Sequence, residues 1–325
     1  MASTKAESGA RAGGLREKRR DEARGTGDPD YRRDSRRGEF RSWFYLVPAL
    51  AVFAVFMFYP LARSFLLSVQ GSDILGRPSG FVGLEHYAQL VQDPIFHKVL
   101  GRTVLFVLLT VPPVIAISLV LSLVLHQKIK GIRFFRTVFA SPFAFSVATA
   151  SVIFAVLFNQ ATGVLNGLLG TLGLSRVGWI TDPTVALISI SITTVWMQMG
   201  YNLLVLSAGL GSVPDDIVEA ARLDGAGGLR LQRSIIVPLL TPQIFFLVVT
   251  GTIHSLQSFG QIHILTRGGP QHSTTTLVYS IYEQAFAYGN SDFGYASAQA
   301  VVLLFVVVII TAIQFGVLER KVFYR

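Results

Sequence analysis

Cysteine is absent from the 325-residue chain. Disulfide bonds, thiolate metal sites and cysteine nucleophiles are therefore excluded. Charge is also scarce, because only 14% of the residues are charged while 51% are hydrophobic. Soluble domains carry roughly 25% charged residues. We therefore expect most of this chain to be buried in a membrane rather than around a soluble core.

Several catalytic signatures are missing as well. No Gly-x-x-x-x-Gly-Lys-Ser/Thr loop occurs, so the chain cannot cradle the phosphates of ATP, and uphill transport would need an ATPase in trans. The absence of His-Glu-x-x-His and Gly-x-Ser-x-Gly disfavours a membrane enzyme that acts on lipid. His254 and His263 have no carboxylate nearby in the sequence, so we interpret them as polar cavity lining rather than metal ligands.

Residues 1–40 differ from the rest of the chain. They mix many arginines with acidic residues and contain few apolar ones, a composition typical of disorder. A nucleic-acid-binding arm is conceivable, but the acidic residues cancel much of the basic field. We interpret the segment as a cytoplasmic tail near anionic lipid, which binds no nucleic acid.

Residues 41–325 contain six apolar runs, each long enough to cross the hydrocarbon core of a bilayer. We expect an all-α, polytopic membrane protein with six transmembrane helices. Pro112 and Pro113 predict a kink in the second run, and Trp179 is a candidate interfacial anchor. The six runs cover residues 43–67, 99–125, 137–158, 184–206, 239–265 and 296–318.

The basic residues predict the orientation of these spans, because cytoplasmic loops are enriched in Lys and Arg. If both termini are inside, most of the Lys and Arg residues lie on the cytoplasmic side. Two termini on the same side also agree with an even number of spans. It also places the polar loop at about 207–238 in the cytoplasm. The cytoplasmic residues outside the tail would be Lys128, Lys130, Arg133, Arg136, Arg222, Arg230, Arg233, Arg320, Lys321 and Arg325.

The loop at 207–238 contains the start and stop signals of a helical hairpin. Ser212 is a candidate N-cap for a first helix, and Pro214 suits its first turn. Gly225 stands where a left-handed residue ends a helix. A second short helix is predicted over 229–237, stopped by Pro238 and Pro242. The sequence therefore predicts a helix–glycine–helix hairpin, either a partner-binding element or a plain amphipathic interfacial segment.

Motifs along the chain resemble those of bacterial ABC-importer permeases. Glu219-Ala220-Ala221, Gly225 and Val237-Pro238 resemble the EAA loop of that family, although Leu-Pro is usual at its end. From about residue 43 onward the chain is similar to the MalF/UgpA-type sugar permeases, with departures at Arg267 and Gly260. The other matching segments are Phe81-Val-Gly-Leu84 with Tyr87, Gly131-Ile-Arg-Phe-Phe-Arg136, Leu157-Phe-Asn159, Gly163-Val-Leu-Asn-Gly167, Leu265-Thr-Arg-Gly-Gly-Pro270 and Tyr295-Ala-Ser-Ala298.

The resemblance implies a type I ABC importer permease, a transport subunit without enzymatic activity or cofactor. Its hairpin would be a coupling helix that docks into an ATPase cleft, where Glu219 pairs with an arginine. Implied partners are a second permease subunit in a heterodimer, two ATPase subunits, an extracytoplasmic solute-binding protein, a sugar and membrane lipids. The coupling residues would be Glu219, Ala220, Ala221, Arg222, Asp224, Gly225 and Pro238; for Arg222 and Asp224 a local role stays open.

The apolar runs also suggest what is carried. No Asp, Glu, Lys or Arg lies deep within the third to sixth runs, which argues against an ion-coupled secondary carrier. A neutral, hydroxyl-rich solute such as a sugar or oligosaccharide fits better; glycerol phosphate and a polyamine are the alternatives. The candidate substrate-path residues could instead hydrogen-bond neighbouring helices, and the resemblance favours the path. They are Gln198, Tyr201, Asn202, Ser255, Gln257 and Ser258.

Overall fold

The computed structural model describes residues 45–73, 76–127, 130–287 and 291–319. The predicted tail at 1–40 lies outside the described residues, as do Lys128, Arg320, Lys321 and Arg325. The chain divides into two compact units, one up to Arg63 and one from Ser64 onward. The described part of the first unit is helical. The second unit contains both candidate sites.

The described residues are mostly helical. A two-stranded antiparallel ribbon, with Gln70 opposite Phe81, is the one departure from the predicted all-α class in this part of the chain. The elements are α1 (Tyr45–Leu67), β1 (Gln70–Ser72), β2 (Pro78–Phe81), α2 (Glu85–Gln92), α3 (Pro94–Leu125), α4 (Ile132–Ala140), α5 (Val147–Leu157), α6 (Val164–Thr171), α7 (Ala186–Gly211), α8 (Asp215–Leu223), α9 (Gly228–Leu239), α10 (Thr241–Leu256), α11 (Gly260–Leu265), α12 (Leu277–Tyr282) and α13 (Phe293–Leu318).

Among the described residues, α1, α3 and α13 are long and apolar enough to cross a membrane. Two bent pairs bring the number to five if each pair is one span: residues 132–157 turn by 105° and residues 228–256 by 65°. Helix α7 has 26 residues, roughly 39 Å at 1.5 Å per residue. It is long enough to cross, but its Ser, Thr, Gln and Asn side chains make it less apolar than α1, α3 and α13. Helix α3 continues through Pro112 and Pro113.

The third and fifth apolar runs were predicted as continuous helices, and that prediction is wrong. The third is interrupted by a 3₁₀ turn at Ser141–Ala144 and by an extended Phe145. Ser146 then starts α5, since its Oγ accepts a hydrogen bond from the backbone N–H of Thr149 at 3.1 Å. The fifth run divides into α10 and α11, which are separated by residues 257–259. The first break contains Pro142 and the second contains Gln257 and Ser258. Proline and polar residues also occur inside the unbroken helices α3 and α7, so these signals alone could not locate the breaks.

Helix α7 lies at the centre of the second unit, and its two ends pack differently. Towards its C-terminal half, Leu206 packs with Val114 of α3 and Leu247 of α10. At its N-terminal end, Leu187 belongs to a cluster with Ile262 of α11 and Tyr279 of α12. The hairpin α8–α9 follows the C-terminal end of α7. The α11–α12 cluster and the hairpin are therefore close to opposite ends of this helix.

The connection at 159–183 is held together by one buried amide. The Asn166 Oδ1 accepts hydrogen bonds from the backbone N–H of Val177 at 3.0 Å and the indole N–H of Trp179 at 3.1 Å. Its Nδ2 donates to the carbonyl oxygens of Val177 at 2.9 Å and Gln160 at 3.2 Å. Trp179 also stacks on Phe158, with ring centroids 5.8 Å apart. The indole N–H of Trp179, a predicted interfacial anchor, is thus used inside this connection.

Candidate substrate cavity and coupling hairpin

A cavity of about 640 Å³ opens beside the middle of α7. The two helix breaks form much of its wall, because residues 142–147 line one part and residues 257–261 another. Helices α7 and α10 supply the rest, with Met197 and Thr250 among the lining residues. Broken helices inside a membrane protein are tolerated where they line a cavity. The two helix breaks therefore form part of the wall of this cavity.

Five of the six predicted substrate-path residues line this cavity: Gln198, Tyr201, Asn202, Gln257 and Ser258. Ser255 does not line it. Its side chain is fully buried, and its Oγ lies 2.9 Å from the Oγ1 of Thr110 on α3. Ser255 is therefore not part of the wall of this cavity, and its hydroxyl joins two helices. Ser255 and Ser258 are three residues apart, but the end of α10 falls between them.

The lining residues differ in how many hydrogen-bonding groups they leave free. Asn202 donates its Nδ2 to the carbonyl oxygen of Gln198 at 2.8 Å, which leaves its Oδ1 as an acceptor. Within the described part of the chain, the side chains of Gln198, Tyr201 and Gln257 have no hydrogen-bond partner. These amides and this hydroxyl are therefore available to a polar ligand.

Sequence reasoning missed the aromatic wall of the cavity. Phe143, Phe145 and Phe259 line it, and the Phe143 ring lies 5.8 Å from that of Tyr201. These residues were hidden by the expectation of continuous helices at 137–158 and 239–265. The sequence signals were Pro142 directly before Phe143, and Ser258 and Gly260 on either side of Phe259. Gln261 was missed for the same reason; it also lines the cavity and donates to the Thr194 Oγ1 at 3.2 Å.

The charge of the cavity limits what it can bind. Among the described residues that line it, none is Asp, Glu, Lys or Arg, and His254 is the one histidine. No group of three or more His, Cys, Asp or Glu side chains in the described ranges could hold a metal ion. The arrangement combines neutral donors and acceptors with aromatic faces, which is a lining suited to uncharged polar molecules.

The hairpin forms as two short helices, but its start differs from the prediction. Ser212 closes α7, with its Oγ donating to the carbonyl oxygen of Gly209 at 2.7 Å, and it does not cap α8. Pro214 occupies the N-cap position of α8 in an extended conformation. Helix α9 continues past Pro238 to Leu239, and a π turn at Gln232–Ile236 directly precedes this last part. Pro242 lies in the first turn of α10, where proline is tolerated because its missing N–H would have no intrahelical partner.

Gly225 has the left-handed conformation that the sequence predicts, with φ +80°. Its N–H donates to the carbonyl oxygen of Arg222 at 3.0 Å, and the N–H of Ala226 donates to that of Ala221 at 2.9 Å. This pair of hydrogen bonds is the Schellman motif, which satisfies the last carbonyl groups of a helix. Glycine is therefore required at this turn by backbone conformation.

Most of the predicted coupling residues lie on the surface of the hairpin. Glu219, Ala220, Arg222 and Asp224 are exposed, Ala221 is buried, and Pro238 is half-buried. Two leucines on either side of the turn are also exposed: Leu223 is 85% and Leu229 is 84% accessible. Exposed leucines beside charged side chains are typical of a surface that another protein covers.

A second cavity of about 930 Å³ lies between the hairpin and the ends of α3 and α7. Its wall includes Glu219 and Arg222 of α8, together with His126 and Leu210. Within the described residues, neither the Glu219 side chain nor the Arg222 side chain forms a hydrogen bond or ion pair. Both side chains are therefore free to pair with groups from outside the chain.

Comparison with known proteins gives the family. Residues 98–324 match the model of the "Binding-protein-dependent transport system inner membrane component". The sn-glycerol-3-phosphate transport system permease protein UgpA of Brucella abortus is 35% identical over 285 residues, which are 87% of this chain and 96% of that protein. The UgpA of Yersinia pestis bv. Antiqua is 36% identical over 297 residues, which are 90% and 99% of the two chains.

Solved structures give a similar fold. A chain from the crystal structure of a bacterial ABC transporter involved in import of the acidic polysaccharide alginate superimposes with a TM-score of 0.76 at 20% identity, over 88% of this chain and 98% of that one. A chain from the crystal structure of a bacterial alginate ABC transporter in complex with an alginate pentasaccharide-bound periplasmic protein has a TM-score of 0.74 at 20% identity. The match covers 88% of this chain and 96% of that one. This chain belongs to the family of inner membrane components of binding-protein-dependent transport systems.

Proposed function

We propose that the chain is the permease subunit of an ATP-driven importer for an uncharged sugar or oligosaccharide, with the 640 Å³ cavity as its substrate site. The main support for this proposal is the lining of the cavity. Side chains without a hydrogen-bond partner and aromatic rings line the same space: Gln198, Tyr201, Gln257, Phe143 and Phe259. Amides and hydroxyls bind sugar hydroxyl groups, and aromatic rings cover the apolar faces of sugar rings. The polar and the aromatic side chains thus match the two kinds of surface on a sugar.

Import of sn-glycerol-3-phosphate is the second candidate, and it is favoured by the names of the relatives at 35–36% identity. A phosphate monoester is normally held by Arg, Lys or a helix N-terminus. The starts of α5 and α11 reach the cavity wall, but among the described lining residues none is Arg or Lys that could neutralise the phosphate charge beside them. An uncharged sugar therefore fits the cavity better than a phosphate ester.

The proposal includes six transmembrane spans, with both termini and the hairpin α8–α9 in the cytoplasm. The basic residues of the loops support this orientation, and α7 would be the fourth span. Partner subunits would be a second permease in a heterodimer, two ATPases and an extracytoplasmic binding protein. Closure of the ATPases on ATP would move the docked hairpin and switch the side from which the cavity is open.

Coupling through the hairpin is supported by its surface. The unpaired Glu219 carboxylate would pair with an arginine of the ATPase, and Leu223 and Leu229 would be buried in the contact. Ala220 and Ala221 have small side chains, which permits close approach of a partner. Gly225 would hold the two helices in the geometry that presents these side chains.

The test is ATP-dependent uptake in proteoliposomes that contain the chain with its partner permease, ATPase and binding protein. Gly225→Val should release the ATPase or abolish uptake, because a β-branched residue is strained at φ +80°. Gly227→Val is the matched control, since Gly227 is in the same turn with extended backbone and open space around its Cβ position. Glu219→Ala should weaken ATPase co-purification, whereas Glu85→Ala, an exposed glutamate on α2, should not.

Two outcomes would contradict the proposal. Uptake without any ATPase would support an ion-coupled carrier instead. Uptake of sn-glycerol-3-phosphate, without competition by neutral sugars, would support the second candidate. Competition by neutral oligosaccharides together with no competition by acidic ones is the expected result.

A further inference from the structure

A row of aromatic rings leaves the substrate cavity at Phe259. The aromatic row comprises Phe259, His263, Tyr279, Tyr282, Phe286 and Phe293. Ring centroids are 4.9 Å apart between Phe259 and Tyr282, 5.9 Å between Tyr282 and Phe286, and 5.7 Å between Phe286 and Phe293. Each ring is thus in contact range of the next.

The row does not stay in the interior. Tyr279 is 3% exposed and belongs to the core cluster with Leu187. Tyr282 is half-buried, and Phe286 is 67% exposed. The row therefore passes from a cavity wall at Phe259 to an accessible phenylalanine.

The direction of the row is away from the hairpin. Tyr279 packs near Leu187, at the N-terminal end of α7, whereas α8 follows the C-terminal end of the same helix. The cavity lies between them, at Gln198 and Asn202. The row therefore connects the cavity to the end of the second unit that is distant from the hairpin.

Polar groups accompany the rings. The Tyr279 hydroxyl lies 3.5 Å from the Nδ1 of His263, and the His263 ring stacks on Phe259 at 5.2 Å. Rings with hydroxyl and imidazole groups at their edges can contact both the apolar faces and the hydroxyls of a sugar. Two carboxylates neighbour the row in the sequence: Glu283, which is buried, and Asp292, whose Oδ1 accepts a hydrogen bond from the Tyr295 N–H. The rings of the row are themselves suited to the apolar faces of a sugar.

We infer that the aromatic row is a transfer path, along which a sugar delivered at Phe286 moves from ring to ring to Phe259 and into the cavity. This inference rests on the proposed function. Successive contact with rings whose centroids are 4.9–5.9 Å apart would let the sugar advance while its apolar faces stay in contact with an aromatic ring. The path makes Phe286 and Tyr282 determinants of transfer that lie outside the cavity.

The test measures sugar uptake and ATP hydrolysis together in the complete reconstituted transporter with loaded binding protein. Phe286→Ala should lower the ratio of sugar imported to ATP hydrolysed by roughly three- to ten-fold, from the loss of one aromatic contact. Phe286→Tyr should restore the ratio. Phe134→Ala is the matched control, because Phe134 is 68% exposed on α4 and lies outside the row.

Three results would overturn the inference. An unchanged ratio in both Phe286→Ala and Tyr282→Leu would mean that the rings serve packing. A weaker affinity for the binding protein at an unchanged ratio would mean that Phe286 is a protein-docking residue. An equal loss in Phe134→Ala would mean a general effect of surface phenylalanines. If wild-type protein imports no sugar at all, the proposed function fails before these variants are compared.

Discussion

Gly200 of α7 is the residue whose substitution tests most directly how the cavity wall is built. A Cβ at this position would lie 2.6 Å from the carbonyl oxygen of Ala140 and 2.9 Å from the backbone nitrogen of Phe143. Both neighbours are backbone atoms beside the α4–α5 break, so no side-chain rotation can relieve the overlap. Overpacking of this kind costs about 1–3 kcal/mol, whereas Ala in place of Gly within a helix gains about 0.5–1 kcal/mol.

Gly200→Ala should therefore lower stability by about 1–2 kcal/mol, and Phe143 should move relative to the cavity. Gly211→Ala supplies the comparison, because Gly211 ends the same helix and has no atom within 4 Å of its Cβ position. That variant should be neutral or slightly stabilised. The assay is unfolding of each purified variant in the same detergent, followed by uptake in proteoliposomes.

Equal or greater stability of Gly200→Ala would refute the reasoning, because it would mean that α7 and the helix break are not in close contact. A loss of stability with unchanged uptake would retain the close contact but contradict the role of Phe143 in the cavity. Destabilisation of Gly211→Ala to the same extent would show that α7 is intolerant of alanine in general, and the argument from distances would fail.

Three further predictions concern residues outside the cavity. Asn166→Leu should lower the free energy of unfolding by at least about 2 kcal/mol, because it leaves buried hydrogen-bonding groups of Val177 unpaired. Chemical unfolding of the variant and of wild type measures this difference. Ser255→Ala should lower the free energy of unfolding by about 0.5–1.5 kcal/mol, because it removes the hydrogen bond to Thr110. Uptake per folded molecule should stay unchanged. A change in substrate affinity would contradict this prediction. Hydrogen bonds from the Thr184 hydroxyl and N–H lower the pKa of Asp182. Its contribution to stability is therefore complete above the ordinary value of about 3.9 and lost as the pH falls through the lowered value; melting of wild type and Asp182→Asn at several pH values should show this loss in wild type only.

Local sequence signals were sufficient for the hairpin. Gly225 was predicted as the left-handed end of a helix, and the backbone at that position has φ +80°. The signal is strong because one residue type and one conformation are linked without reference to the rest of the chain. Ser212 was assigned to the wrong helix for a related reason: a serine between two helices can bond to either one, and here its Oγ donates to Gly209.

The cavity was predicted only in part. Gln198, Tyr201 and Asn202 were recognised because polar side chains stand out in an apolar helix, and they line the cavity. Ser255 stands out equally, yet it is bonded to Thr110. Hydroxyl groups that face a cavity and hydroxyl groups that face another helix have the same local sequence pattern. The contact that separates them comes from a residue 145 positions away.

Composition and the turn signals of the hairpin were sufficient to predict a polytopic membrane protein with a helical hairpin, and the motif resemblance around Glu219 and Gly225 was sufficient for the permease family. Hydropathy, turn chemistry and short motifs are local properties of a sequence. Tertiary structure decided where the helices break and which side chains meet there. Phe143 and Phe259 lie 116 positions apart in the sequence, in two predominantly apolar runs. They line one cavity because both helix breaks pack beside α7. Such contacts depend on packing between segments that are distant in the sequence.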